Sequence, residues 1–231
     1  MQIPLYSIKN LLIQKGDIRR LAIKSFDIHR GAIYIISGNP GSGKTTFLQA
    51  LVKELKLNSG ELMFEGKELK AINKNVYHSE IMYIPQTCKK NWNSVENYML
   101  KIISRSAHRK ENAKNHMDKI SRQLNCTHLI GRKMRDLTPG QLRWIMIASA
   151  IASDTKVLII DEIEQHLTRD MMKSINKIFY RKSNHDGVSI ILSTLNPELI
   201  TNITSVSITL SDGRITSVRS FGKKNSRYKK K

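Results

Sequence analysis

The chain has 231 residues, of which 40% are apolar and 25% are charged, and its formal net charge is +20. This length suits one domain with a buried core, and no apolar run approaches the roughly 20 residues of a membrane-spanning helix, which excludes an integral membrane protein. The N-terminus lacks the basic start and apolar centre of an export signal, so we expect a cytoplasmic protein. The positive charge predicts affinity for polyanions, either nucleic acid or anionic lipid headgroups.

Short β-branched runs predict about eight strands in a large mixed sheet of an α/β fold. The runs lie at 5–13, 22–28, 32–37, 61–66, 81–85, 157–161, 189–194 and 206–218. Those at 32–37, 157–161 and 189–194 are apolar on both faces, which is typical of parallel strands covered by helices. The pairs Glu65-Gly66 and Asp212-Gly213 are turn signals of antiparallel hairpins.

Between Thr87 and Ser153 the pattern changes from strands to helices. Helical spacing predicts helices at about 93–107, 110–124 and 139–153. The middle helix carries a stripe of apolar residues that we expect to be buried, namely Ala113, Met117, Ile120 and Leu124. The sequence therefore predicts a helical lobe, inserted at about residues 87–153.

The C-terminal residues 222–231 differ from the rest of the chain in composition. They contain six basic residues, no acidic residue and almost no apolar content. We expect a basic disordered tail that follows a folded domain at 1–221. Cys88 and Cys126 have no spacing that suggests a metal site, so both are predicted to be reduced thiols.

A glycine-rich segment follows the strand predicted at 32–37 and precedes a helical pattern. Gly38, Gly43, Lys44 and Thr45 match the phosphate-loop pattern G-x-x-x-x-G-K-[ST]. Glycines let successive N–H groups turn toward phosphate oxygens, the lysine charge lies between the terminal phosphates, and the threonine hydroxyl binds Mg²⁺. A plain glycine-rich turn would not explain the lysine and the threonine. The predicted nucleotide-binding residues of this loop are Gly38, Asn39, Pro40, Gly41, Ser42, Gly43, Lys44, Thr45 and Thr46.

Two acidic residues, Asp161 and Glu162, directly follow the apolar run VLII. Carboxylates beside a dry core are costly unless a partner compensates them. A magnesium nucleotide is such a partner: Asp161 would hold Mg²⁺ through water, and Glu162 would polarise the attacking water. The alternative is that these acids merely cap a helix that starts near Leu167.

The order of these motifs resembles that of the ATP-binding cassette ATPases. Gln86 in YIPQ, the stretch LTPGQ at 137–141 and the acidic strand VLIIDE follow the phosphate loop in turn. The likeness covers about residues 3–218. It implies a P-loop NTPase fold with a mixed central sheet, an N-terminal antiparallel β part and an inserted α-helical lobe.

The resemblance also implies an activity and partners. Such cassettes bind ATP and Mg²⁺ in head-to-tail pairs, in which the signature of one chain meets the phosphate loop of the other. The signature residues here are Thr138, Pro139, Gly140 and Gln141. Gln86 would sense Mg²⁺ and act with Lys44 and Glu162 in hydrolysis. The lobe would grip an integral membrane transporter subunit on the cytoplasmic face of the membrane, and the pair would be a homodimer, with a heterodimer left open.

Several positions depart from the family pattern. Leu195, followed by Asn196, replaces the histidine that contacts the terminal phosphate. Thr168, two residues after His166, replaces an aspartate that acts across the dimer. Ile13 and Lys15 occupy the region where the family stacks an aromatic ring on adenine, and Pro139 replaces a signature glycine. These changes predict a slow ATPase; the alternative is an ATP-clamped module that does not hydrolyse.

Two classes of function remain open. A transport motor is favoured because little sequence follows the cassette in which a second cassette or a long coiled coil could form. A nucleic-acid-associated ATPase is the alternative, suggested by the net charge and the basic tail. Apart from Tyr228, no aromatic residue is interleaved with basic residues in a stacking platform.

Overall fold

A computed structural model describes residues 3–87, 92–106 and 111–221. The predictions for Cys88 and for the tail at 222–231 lie outside the described residues. The described strands are β1 Tyr6–Lys15, β2 Ile18–Ile28, β3 Ile33–Ser37, β4 Ser59–Phe64, β5 Lys67–Glu68, β6 Ile81–Ile84, β7 Val157–Ile160, β8 Ser189–Ser193, β9 Val206–Ser211 and β10 Arg214–Ser220. The described α-helices are α1 Lys44–Leu51, α2 Lys74–Glu80, α3 Val95–Ile103, α4 Ala113–Gln123, α5 Pro139–Ser153 and α6 Arg169–Asn184.

The strands form two sheets. The larger has the order β10-β9-β3-β8-β7-β6, and its strands are parallel except for β10, which pairs antiparallel with β9. The smaller is antiparallel, with the order β2-β1-β4-β5. The mixed central sheet and the N-terminal antiparallel part are thus confirmed. The expected count of about eight strands in one large sheet is wrong, because the N-terminal strands pair only with one another and the run at 206–218 turns back on itself.

Both predicted turns adopt the left-handed conformation that tight hairpins require. Glu65 and Gly66 have φ values of 50° and 78°, and Asp212 and Gly213 have φ values of 49° and 72°. Positive φ at both central residues matches the right-handed twist of the flanking strands, so these turns close compact hairpins. The second hairpin, β9–β10, lies beside the phosphate loop.

Three helices, α3, α4 and α5, occupy the stretch predicted to be helical. The predicted stripe of α4 is buried: Met117 is 1% exposed and Leu124, just after the helix, is 3% exposed. Pro139 is the first residue of α5, where its missing N–H removes no intrahelical hydrogen bond. The limits of the inserted lobe, about 87–153, stay a prediction.

Two helices outside this stretch had weaker sequence signals. Helix α2, which was not predicted, has only seven residues and is capped by the Asn73 side chain. Helix α6 begins close to the position suggested near Leu167, with Thr168 as its N-cap.

The core lies on both faces of the parallel sheet. Ile33 and Ile35 of β3 face α5 and α6, whereas Tyr34 and Ile36 face α1 and the antiparallel sheet. Side chains alternate along a strand, so a central strand covered on both faces must be apolar throughout. Within the described residues, no helix combines the length and the apolar character needed to cross a membrane.

Candidate nucleotide site

The phosphate loop connects β3 to α1 and has a backbone that only glycine accommodates. Gly38, Gly41 and Gly43 have φ values of 146°, 81° and 102°. A Cβ on Gly38 would lie 2.2 Å from the Leu210 carbonyl oxygen. The glycines therefore allow the loop to curl tightly at the N-terminus of α1, where backbone N–H groups favour an anion.

Lys44 is folded over this loop. Its side chain is 5% exposed, and Nζ donates hydrogen bonds to the carbonyl oxygens of Gly38 at 2.7 Å and Asn39 at 3.0 Å. The ammonium is therefore held at the loop by two neutral acceptors. A terminal phosphate would be the stronger partner, because its negative charge attracts the ammonium more than a neutral carbonyl does.

Asp161 is fully buried at the carboxyl end of β7, where it accepts hydrogen bonds from two hydroxyl groups. Thr45 Oγ1 donates to Oδ2 at 2.7 Å, and Ser193 Oγ donates to Oδ1 at 2.5 Å. The phosphate loop, β7 and β8 thus meet at one carboxylate. A carboxylate beside a hydroxyl is a set of hard oxygen donors that suits Mg²⁺.

Glu162 lies next to Asp161 with a left-handed backbone, φ 45°. Its Oε2 accepts a 2.8 Å hydrogen bond from Gln86 Nε2, and its N–H donates to Ser193 Oγ at 2.7 Å. Strained residues of this kind persist where the surrounding structure holds them, often at functional sites. The predicted partners Gln86 and Glu162 are therefore in direct contact.

The acid pair does not cap a helix. Thr168 is the N-cap of α6, and its side chain accepts the Met171 N–H at 3.3 Å. The capping alternative is wrong, because the carboxylate of Asp161 is bound to Thr45 and Ser193 and that of Glu162 to Gln86.

Arg143 is a site residue that the sequence analysis missed. It is 3% exposed; NH1 donates to the Pro85 carbonyl at 2.7 Å, and NH2 donates to the carbonyls of Asp161 and Glu162. The guanidinium therefore ties the segment before Gln86 to the acid pair. A signal was present in the sequence, since Arg143 is the one charged residue of α5.

Ser193 was also missed, because a serine at the end of an apolar strand is an ordinary sequence feature. Its hydroxyl donates to Asp161 and accepts the Glu162 N–H, so one side chain orients both acids.

The Tyr83 hydroxyl has a raised pKa. Burial is the largest cause, and the charges of Asp161 and Glu54 raise the pKa further, against a smaller lowering by Arg143. Tyr83 therefore stays neutral beside the acid pair.

The predicted signature forms the capped start of α5. Thr138 Oγ1 accepts the Gln141 N–H at 3.3 Å, and Gln141 Oε1 accepts the Thr138 N–H at 3.1 Å. This reciprocal capping box fixes the turn that carries Pro139 and Gly140. Within the described part of the chain, no hydrogen bond joins this turn to the phosphate loop.

Leu195 stands where the family has its histidine, and the carboxylate of Glu164 binds the backbone at that position. Glu164 Oε1 accepts the N–H groups of Leu195 at 2.7 Å and Asn196 at 3.2 Å. The Leu195 side chain is 43% exposed. The loop after β8 is therefore pinned through its backbone to the segment that follows Glu162, an arrangement with no signal in the local sequence.

Ile13 and Lys15, in the region that the resemblance assigns to base binding, differ in exposure. Ile13 is 5% exposed and points into the core under the antiparallel sheet, so it does not face a base. Lys15 is exposed. Ile13 follows the alternation of β1, in which Leu11 and Ile13 are buried and Leu12 between them is half-buried.

The β9–β10 hairpin supports the phosphate loop from the side opposite the acids. The Gly213 N–H donates to the Ser42 carbonyl at 3.0 Å, and the Gly213 carbonyl accepts the Ala22 N–H at 2.7 Å. A Cβ on Gly213 would lie 2.6 Å from the Arg20 carbonyl oxygen. The close approach of β2, the hairpin and the loop therefore requires glycine here.

A family model described as ABC transporter matches residues 21–165. The chain belongs to the ABC transporter family. The probable iron export ATP-binding protein FetA of Escherichia coli K12 is similar, with 23% identity over 88% of this chain and 90% of the relative.

Solved ABC cassettes share the fold. The cbiO1 structure from Clostridium perfringens, part of the cbiONQ ABC transporter complex, has a TM-score of 0.79 at 21% identity, covering 94% of this chain and 88% of that one. A dimeric MJ0796 cassette bound to ADP and Pi has a TM-score of 0.81 at 19% identity, covering 93% and 98% of the two chains.

The family assignment confirms the resemblance and the fold class. This ABC cassette is an ATP-binding subunit and an ATPase of the transporter family. Subunits of this kind act with membrane transporter components and pair as dimers.

Proposed function

We propose that this ABC cassette binds MgATP through Gly38–Thr46, with the phosphates in the loop and Lys44 on the terminal ones. The observation that carries the proposal is the contact between Thr45 and the buried Asp161, because it joins the loop to the acid pair. Thr45, Asp161 and Gln86 would hold Mg²⁺. Since Gln86 Nε2 donates to Glu162, its amide oxygen is left to face a cation. When bound, Mg²⁺ would neutralise part of the negative charge on the terminal phosphates.

Glu162 is the proposed general base. Gln86 donates to Oε2, which leaves Oε1 to accept a proton from water. The water oxygen attacks the terminal phosphorus, the bond to the ADP oxygen breaks, and the water proton passes to Glu162. Ser193 and Arg143 hold the backbone of Glu162 in place, so the carboxylate is positioned before substrate binds.

We further propose that a second copy completes the site. The capping box of Thr138 and Gln141 presents the N-terminus of α5, and Pro139 and Gly140 form its first turn. The positive end of the helix dipole favours an anion such as the terminal phosphate of ATP bound to the facing chain. A homodimer is the simplest pairing, and a different cassette with the same loop would serve equally in a heterodimer.

The proposed partner is an integral membrane transporter subunit, bound by the helical lobe at the cytoplasmic face. Trp92, which precedes α3, is 78% exposed, and the Arg135 guanidinium lies 4.0 Å from its ring centroid. Exposed tryptophan and arginine are enriched at protein interfaces. The net charge of +20 would add attraction to anionic lipid beside that partner.

Phosphate release by the wild type and by Glu162→Gln tests the catalytic assignment. We expect the variant to bind ATP with Mg²⁺ and to lose at least about a hundredfold in rate, since general bases contribute about 10²–10⁴. ATP should also shift the variant to a dimer in size-exclusion chromatography. Equal rates in the two proteins would contradict hydrolysis by Glu162, and a wild type that binds ATP without releasing phosphate would establish a clamped module.

Membrane fractionation of the source cells tests the docking proposal. We expect the chain to sediment with membranes and Trp92→Ala to move to the soluble fraction. Ile18→Ala is the matched control, because Ile18 is a 63% exposed apolar residue on the β1–β2 hairpin. Identical distribution of the wild type and the Trp92 variant would contradict a role of this tryptophan in docking.

A further inference from the structure

The order of the strands sets the direction of a bound nucleotide. The phosphate loop follows β3; the acid pair after β7 and Gln86 after β6 lie on one side of it, and the β9–β10 hairpin lies on the other. Because Thr45 and Asp161 mark the metal and terminal-phosphate side, the nucleoside must leave the loop toward the hairpin and the neighbouring strand β2.

Strand β2 has a bulge at this place. Ile13 pairs with Leu21 and Gln14 pairs with Arg19, so Arg20 is the extra residue between them. Bulges are frequent next to active sites because they redirect a side chain. The Arg20 carbonyl would lie 3.0 Å from a Cβ on Gly43, so Arg20 adjoins the last glycine of the phosphate loop.

The Arg20 side chain is exposed. Within the described part of the chain, no acidic side chain forms an ion pair with its guanidinium. Ile13, in the region where the family stacks an aromatic ring on adenine, is buried. The backbone of Arg20 thus adjoins the loop on the side toward which we expect the nucleoside to extend, and its side chain is open to solvent there.

We propose that Arg20 holds the nucleoside half of the substrate by stacking its guanidinium on the purine face, an inference that rests on the proposed MgATP site. Arginine stacks on aromatic faces through its planar, weakly hydrated group, which lysine lacks. Stacking contacts the face of the base and makes no hydrogen bond to its edge, where adenine and guanine differ. The cassette therefore accepts purine nucleoside triphosphates in general, and ATP and GTP bind with similar affinity.

Calorimetry with the magnesium complexes of ATP, GTP and inorganic tripolyphosphate tests this inference. The proteins are the wild type, Arg20→Ala, Arg20→Lys, Arg20→Tyr and the control Lys24→Ala, an exposed basic residue further along β2. In Arg20→Ala, loss of one stacking contact should weaken the binding of ATP and of GTP about tenfold. The affinity for tripolyphosphate should not change. We expect Arg20→Lys to bind both nucleotides as weakly as Arg20→Ala does. Arg20→Tyr should recover nucleotide affinity, and Lys24→Ala should have the affinity of the wild type.

Distinct results would overturn the inference. An Arg20→Ala variant that binds ATP as the wild type does would refute it while leaving the MgATP site intact. If Arg20→Ala lost as much affinity for tripolyphosphate as for ATP, Arg20 would contact phosphate instead of the base. A wild type that prefers ATP over GTP by more than about tenfold would refute base tolerance. A wild type that binds none of the three ligands would overturn the proposed function and this inference with it.

Discussion

The Thr45 hydroxyl donates a 2.7 Å hydrogen bond to Oδ2 of Asp161, a residue 116 positions further along the chain. This contact brings the start of α1 to the end of β7, on the side of the phosphate loop where we propose that Mg²⁺ binds. In the ABC cassette, the dependence of ATP binding on magnesium should therefore centre on this pair of side chains.

Asp161→Asn tests that dependence. The substitution keeps the shape of the side chain and removes its charge, so ATP should bind the variant about equally with Mg²⁺ and with a chelator. The wild type should bind more tightly with Mg²⁺, as measured by calorimetry. Asp170→Asn is the control, because Asp170 lies on the exposed surface of α6 and pairs with Lys173. A full magnesium effect in Asp161→Asn would contradict the assigned role.

Ser193→Ala removes the hydroxyl that contacts both acids. Loss of such a supporting group costs about 10–100-fold in metal affinity or activity, so we expect a matching fall in turnover and a higher Mg²⁺ concentration for half-maximal rate. Ser149→Ala is a matched buried control, since its hydroxyl bonds only within its own helix, to the Ile145 carbonyl. If both variants had the same magnesium dependence as the wild type, Ser193 would have only a structural role.

Gly213→Ala should loosen the support of the phosphate loop. The new Cβ would lie 2.6 Å from the Arg20 carbonyl oxygen, at a residue with φ 72°. Gly187→Ala is the control, because Gly187 has nearly the same φ, 70°, and no atom within 4 Å of the added group. We expect Gly187→Ala to lose about 1 kcal/mol of folding free energy from backbone strain, and Gly213→Ala to lose more because of the added clash and to lose nucleotide affinity as well. Thermal melting and calorimetry would measure the two effects separately.

We expect the thiol of Cys126 to be alkylated slowly. It is fully buried, and burial raises the pKa of its thiol, against a smaller lowering by Ser121. Because a raised pKa leaves less thiolate at a given pH, alkylation by iodoacetamide at pH 8 should be slower in the native protein than in urea. The measurement needs a Cys88→Ser background so that only one thiol reacts.

The same pKa shift predicts the direction of a stability change. The unfolded thiol releases its proton near its ordinary pKa of about 8.5, whereas the folded thiol retains it to higher pH. The contribution to stability is therefore complete below that value and declines as the pH rises above it. Urea unfolding at pH 7 and pH 9.5 should show a smaller loss for Cys126→Ala than for the parent protein; an equal loss would contradict the prediction.

Local patterns in the sequence predict the phosphate loop, the acid pair and most of the strands. Gly38, Lys44 and Thr45 lie within eight residues of one another, so their spacing already specifies a phosphate cradle. The apolar runs of β3, β7 and β8 likewise predict buried parallel strands, because burial on both faces requires apolar residues at every position.

The further residues that contact the loop and the acid pair depend on tertiary contacts. Ser193 reaches Asp161, and Arg143 reaches the carbonyl of Pro85, because parallel strands and α5 bring distant segments together. The bulge that places Arg20 beside Gly43 depends on the register between β1 and β2. Strand pairing is a property of two segments at once, and local spacing in one segment does not contain it.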